Sequence, residues 1–441
     1  MTGEDVAPGW RNAVAWERRL LYGIVLSLGT YAIPSLRFGG AGSGLSLGIL
    51  IIPASCYLLA LRVMKTRQLS VNKFLLYSVF LLCLGVSLSA LFSVVFVGER
   101  IIRLAVFLSL PLLFSCTIRD RRALDLCLAG LVVIGVFLAL YGFYGFFTGK
   151  IGDAAKSALW GTYYQYFGIH YLNSTRNGDI HYVAIPLFLV LAVGSSRERS
   201  GMVGFLLALV ASLFLAGILL SFSRSAWVAT LGAFLASHLL CHRPRGGSRR
   251  ARSLFRPWML LLLGVLPVIG SAVLTFNVTN YFIGKVASVA SSKLARNYLQ
   301  ERVSNGERLE ILGATVDIIV SNPLGVGPDN LRYVYPMHGI RVNHPENSYL
   351  HILAENGALA FVGFLILVFY PIRVFHRVAR RNARSWRAVA LYAVSVYLAI
   401  SYLFNTEVFS LYCWVVHAVI WCGASILWAT CDDPEVAPSG S

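Results

Sequence analysis

Three groups of ionisable residues, each beside the start of an apolar or helical run, hold the chemistry open to this sequence. In Ser221-Phe222-Ser223-Arg224-Ser225-Ala226-Trp227 an arginine opens an apolar stretch. A charge at such a boundary is costly without a partner or a task. The N–H groups of a helix N-terminus can join a guanidinium in holding one anion; the alternative is an arginine that snorkels to lipid headgroups. In Asn305-Gly306-Glu307-Arg308-Leu309-Glu310 the arginine falls in the first turn of a helix, where the macrodipole disfavours a cation. A bound anion removes that conflict, and so does an exposed ion pair with a neighbouring carboxylate.

The third group runs His344-Pro345-Glu346-Asn347-Ser348-Tyr349-Leu350-His351 and on to Glu355-Asn356-Gly357. Pro345 suits the first position of a helix, which makes His344 the approximate N-cap. A helix N-terminus disfavours the imidazolium, and a neutral imidazole is what a general base requires. Asn347, His351 and Glu355 follow at helical spacing, a polar stripe whose plainer reading is a cap plus one face hydrogen-bonded to a neighbouring helix. Further candidates are His338, Arg341, Arg332, Arg176, His170 and His181. No Asp-x-Asp or carboxylate cluster accompanies them, so a metal held by protein oxygens has little support. Ser223 and Ser225 lack a nucleophile elbow.

The elements that must position these groups follow from composition. Hydrophobic residues are 57% of the 441 and charged ones 13%, about half the charged share of a soluble domain. A water-facing surface of this size cannot be covered, so the chain belongs in lipid. The net charge of +18 does not point to nucleic acid, because the basic residues lie in short runs between apolar stretches, as membrane topology demands. The eight cysteines form no C-x-x-C and sit mostly in apolar segments, which excludes a disulfide framework or zinc site. The first apolar stretch reads as an uncleaved span rather than a signal peptide.

A span needs about 20 apolar residues. That window selects twelve, at 20–36, 45–63, 74–97, 101–118, 124–148, 180–196, 202–220, 224–241, 257–276, 347–371, 387–404 and 408–429. Pro111 and Pro186 interrupt the fourth and sixth, which neighbouring helices can accommodate. With both termini inside, every even-numbered gap is basic, from Arg62-Lys65-Arg67-Lys73 to Arg373 through Arg387, while the outer gaps near 98–100 and 404–407 are not. The fold class is therefore an all-α polytopic membrane protein. Its parts are 1–276 (nine spans with an outer loop at 149–179), an outer loop domain at 277–346, three spans in 347–430, and an inner tail at 431–441.

Outer segments this long are rarely structureless. In the second, Asn305 can cap a helix whose apolar positions Leu309, Leu312, Val316 and Ile319 recur at helical spacing. Ser321-Asn322-Pro323 ends it, and Gly325-Val326-Gly327 supplies a tight turn. Seven basic and six acidic residues in 277–346 nearly balance. An anion site there must come from individual arginines.

Ser223-Arg224 opening a span, Arg308 beginning an outer helix that ends in Asn322-Pro323-Leu324-Gly325-Val326-Gly327, and Asn347-Ser348-Tyr349-Leu350 with Glu355-Asn356-Gly357 together resemble the O-antigen ligase and polymerase superfamily. These motifs cover roughly residues 170–370. The resemblance implies a GT-C-like glycosyltransferase, without cofactor, that moves a glycan from undecaprenyl diphosphate to an acceptor on the periplasmic face of the bacterial inner membrane. In the ligase branch the acceptor is lipid A–core oligosaccharide. By the same resemblance Arg224 and Arg308 would bind the diphosphate and a histidine would activate the acceptor hydroxyl. Arg176, His181, Arg341, Asn347, Tyr349 and Glu355 would contact substrate. The family pattern has His directly before the Asn, where this chain has Glu346. His344 is therefore the expected base, His338 the second choice and Glu346 the third.

A polymerase, or a relative that glycosylates proteins, would share the donor chemistry; the single sizeable outer loop and short tail favour the ligase. A lipid-glycan flippase would instead place ionisable residues near the midplane in two related halves, a pattern the sequence lacks.

Overall fold

The computed structural model describes residues 71–148, 180–195, 201–220, 224–242, 305–340, 342, 344–382, 385–405 and 410–429. Among the described residues every regular element is helical: α1 Lys73–Leu91, α2 Gly98–Thr117, α3 Arg121–Thr148, α4 His181–Ser195, α5 Gly201–Leu220, α6 Arg224–His242, α7 Asn305–Ser321, α8 Leu331–Val334, α9 Ser348–Arg381, α10 Trp386–Ser401 and α11 Leu411–Ala429. A 3₁₀ turn, Tyr335–His338, follows α8. Among the described residues five helices are long and apolar enough to cross a membrane: Lys73–Leu91, Arg100–Thr117, Arg121–Leu140, Ser348–Arg381 and Tyr412–Ala429. The chain is an all-α polytopic membrane protein. The expected spans at 20–36, 45–63 and 257–276 lie outside the described residues.

One apolar core runs through the bundle, from Leu75 and Phe114 to Phe364, Tyr397 and Trp421. Phe80, Val133, Phe205 and Leu231 remain exposed on its outside. Helices apolar on both faces suit lipid, where no hydrophobic drive joins them and close packing and interhelical hydrogen bonds must do so. The bond from Ser78 Oγ to the Gly363 carbonyl, 2.7 Å, ties α1 to α9, its most extensive packing partner. Pro111 lies inside α2 and Pro186 inside α4 without ending either helix.

Two sets of contacts define the ends of the bundle. At one end Arg387 forks onto Asp125, both bonds 2.6 Å, and Asn72 meets Tyr370. At the other, Ser348 donates its N–H to Tyr402 O and its hydroxyl to Asn405 O, and Asn405 bonds Ser225. This second end is the one the sequence reading expects to face outward.

Two expectations need correction, and α7 shows a facing that the sequence leaves open. The third span stops at Leu91, not 97: Phe92 caps the helix and residues 92–97 form a loop, because the backbone of Val95 is taken by the Asn330 side chain. The cap of the tenth span is Asn347, not His344: its backbone is extended and its side chain accepts from Leu350 N–H at 3.0 Å. On α7, Leu309, Leu312 and Val316 are exposed, while Ile311, Thr315 and Ile318 face inward. The helix is apolar on two stripes. The inner one was selected by partners from 326–335, with Thr315 Oγ1 bonded to Tyr335 OH at 2.7 Å, around a small second core of Ile311, Ile318, Val326, Leu331, Val334, Tyr335 and Ala354.

Candidate active site

The centre of the site is a break in a helix. Within α9, Gly357 has φ 76° and ψ 179°, so the chain leaves helical geometry for one residue and resumes. A break leaves backbone groups without their usual partners, and inside a membrane each must find another. The loop after α7 supplies them. Val326 N–H donates to Ala354 O at 3.0 Å, Gly327 N–H to Glu355 O at 2.9 Å, and Ala358 N–H to Pro323 O at 3.2 Å. The Asn322–Gly327 motif and the Glu355–Gly357 motif are thus two halves of one backbone interlock.

The Glu355 side chain extends it. Nearly inaccessible (1%), its carboxylate accepts from Asp329 N–H at 2.9 Å and Leu331 N–H at 3.4 Å. His351 Nε2 lies 2.9 Å from Glu355 Oε2. Asp329 carries φ 60°, a left-handed backbone rare for a non-glycine residue, and its Oδ2 meets two guanidiniums, Arg100 Nε at 3.3 Å and Arg332 Nη2 at 3.2 Å. Asn330 pairs with the 92–97 loop as a strand would: Val95 N–H donates to Oδ1 at 2.8 Å and Nδ2 donates to Val95 O at 2.9 Å. Asn330→Ala leaves the Val95 N–H and carbonyl without this partner, at about 0.5–1.5 kcal/mol for each bond. Thermal unfolding of the detergent-solubilised protein is expected to show the loss.

His344 stands beside this network, its ring 6.5 Å from that of His351, centroid to centroid. The residue is exposed, yet crowding on its inner side lowers the pKa of the imidazole below the ordinary histidine value, and His351 adds to that. Glu346, the backbone at Pro345 and Glu355 pull more weakly the other way. The neutral bias expected of a helix cap is therefore present, with burial as its cause. His338 is exposed at the end of the 3₁₀ turn, and Glu346 is exposed beside Pro345.

Other expected site residues have structural partners. Asn347 caps α9 and donates to Leu403 O at 3.0 Å. Tyr349 OH donates to Ala399 O at 2.9 Å, and His181 Nδ1 lies 2.8 Å from Tyr397 OH, fully buried between α4 and α10. Burial pushes the Tyr335 phenol up to about 12. Arg224 opens α6 and Arg308 lies in the first turn of α7; their side chains, and residues Arg176, His170 and Arg341 entirely, lie outside the described set. Reading the sequence missed Arg100, Asp329 and Asn330. Arg100 had a signal, since it opens a span from the outer end just as Arg224 does. Asp329 and Asn330 had none beyond following a glycine turn.

The interlock joins the segment that follows α7 to the break in α9, and a single family description covers both. Residues 209–365 match the O-antigen ligase family model. Over that segment the chain is similar to O-antigen ligases. The match runs from within α5 into α9 and so takes in Arg224, Arg308, His344 and both halves of the interlock. No curated protein matches the chain.

Proposed function

We propose that this protein is an O-antigen ligase, transferring O-antigen glycan from undecaprenyl diphosphate to a hydroxyl of lipid A–core oligosaccharide at the periplasmic face of the inner membrane. The observation that carries the reading is the family match over 209–365, a segment in which His344 stands beside the Glu355 interlock.

The chemistry is a direct displacement with inversion. His344 takes the proton of the acceptor hydroxyl, whose oxygen bonds the anomeric carbon. The bond from that carbon to the diphosphate breaks, and undecaprenyl diphosphate leaves with the electron pair. The leaving group gains negative charge in the transition state, and Arg224 and Arg308 have the planar fork that meets phosphate oxygens in pairs. Arg224→Ala and Arg308→Ala are each expected to slow transfer about 10²–10³-fold, by analogy with a lost oxyanion donor, with membrane insertion unchanged. The assay is glycan attachment by purified protein given lipid-linked donor and lipid A–core acceptor. Elongation of the lipid-linked glycan in place of attachment would assign the polymerase reaction. Glycan movement across reconstituted vesicles without covalent transfer would overturn the transferase reading.

A further inference from the structure

His351 and Glu355 form a pair inside the membrane-spanning bundle, with side chains 4% and 1% accessible. On a helix surface such an i,i+4 pair is commonplace, but in a buried setting two polar partners cost desolvation that their attraction only partly returns. Holding the 323–331 loop explains Glu355, whose oxygens accept from Asp329 and Leu331 N–H. It does not explain an imidazole at 351, where an apolar side chain would leave those bonds intact. The group beside that imidazole is His344.

We infer that His351 and Glu355 are positioning residues for His344: the imidazole of His351, fixed by the Glu355 carboxylate, packs beside His344 and steadies it, and the carboxylate offsets the charge that His344 gains on taking the acceptor proton. The Glu355 carboxylate accepts from His351 Nε2–H and fixes that ring's orientation, as carboxylate–histidine pairs do for a working imidazole. The carboxylate is itself fixed by two loop N–H groups, so the pair is anchored in the interlock. The proton taken from the acceptor leaves His344 to solvent, which the exposed ring reaches directly.

Among the described residues the charged or titratable groups acting on His344 are Glu346 on its own segment and His351 and Glu355 on α9. Their signs differ, and that makes the inference testable. His351 disfavours the imidazolium at 344 and Glu355 favours it. The inference rests on the transferase reading, so the experiment includes a readout independent of transfer. In the full-length solubilised protein, carbethoxylation of His344 by diethyl pyrocarbonate is followed by peptide mass spectrometry across pH, since only the neutral ring reacts. His351→Gln, which keeps an N–H donor for Glu355, is expected to move the His344 midpoint up. Glu355→Gln is expected to move it down, and the acid limb of the transfer rate should follow in each variant. His351→Gln is the decisive variant if Glu355→Gln fails to fold. Midpoints unchanged from wild type, even with activity lost, would overturn the inference. Shifted midpoints together with an active His344→Ala enzyme would support the positioning role and remove His344 from catalysis, refuting the base assignment alone.

Discussion

Gly357→Ala is expected to abolish glycan transfer and to destabilise the outer half of α9, and Gly325→Ala to do the same from the opposite side. At Gly357 the positive φ costs an alanine about 1–3 kcal/mol by itself. The added methyl would also run into the backbone carbonyl of Leu324, and one on Gly325 would run into the carbonyl of Glu355. Backbone cannot yield as a side-chain tip does, so the loop and the broken helix must separate. Separation releases the three interlock bonds and withdraws Asp329 and Leu331 from Glu355. Gly339 provides the control: its φ is 75°, nearly that of Gly357, but a methyl there meets nothing within 4 Å. Gly339→Ala should therefore show the conformational penalty alone and keep its transfer activity. Thermal unfolding and transfer assays on the three variants separate strain from interlock; equal losses in all three would refute the interlock as the cause.

That interlock marks the boundary of what the sequence made legible. Among the described residues helices appear where the apolar windows and the Asn305-to-Ser321 pattern put them, because burial in lipid demands a continuous apolar run and Asn322-Pro323 ends α7. Gly325 and Gly327 are legible as turn residues and Gly357 as part of a motif, but their mutual contact is not: it is a backbone-to-backbone meeting that no side-chain periodicity encodes. The inward face of α7 is not legible in the sequence for a related reason. Two apolar stripes compete on that helix, and the choice between them was made by Tyr335 and Val326, residues whose arrival depends on the loop. Asn347 was taken for a substrate contact because it lies in a motif, although an asparagine one residue before a helix is the commonest of caps. Arg100 and its partner Asp329 lie too far apart along the chain for spacing to connect them.

Loss of the imidazole itself should slow the reaction without the structural damage. His344→Ala is expected to lower the transfer rate about 10²–10⁴-fold, the usual contribution of a positioned general base, with folding intact because the side chain is exposed. His338→Ala should leave the rate near wild type, and the reverse outcome would move the base to that residue. The pH dependence gives a second, independent reading. The base works only when neutral, and burial together with His351 holds the His344 pKa below the ordinary histidine value of about 6.5. As pH falls the rate should therefore persist through the region where a free histidine charges and decline only below it. Glu346→Gln removes one of the groups that favour the imidazolium, so it should carry that decline to still lower pH without lowering the plateau. If Glu346 were instead the base, the same substitution would remove the plateau. The acid limb of that one variant decides between His344 and Glu346, the residue that stands where the family's pattern has its histidine.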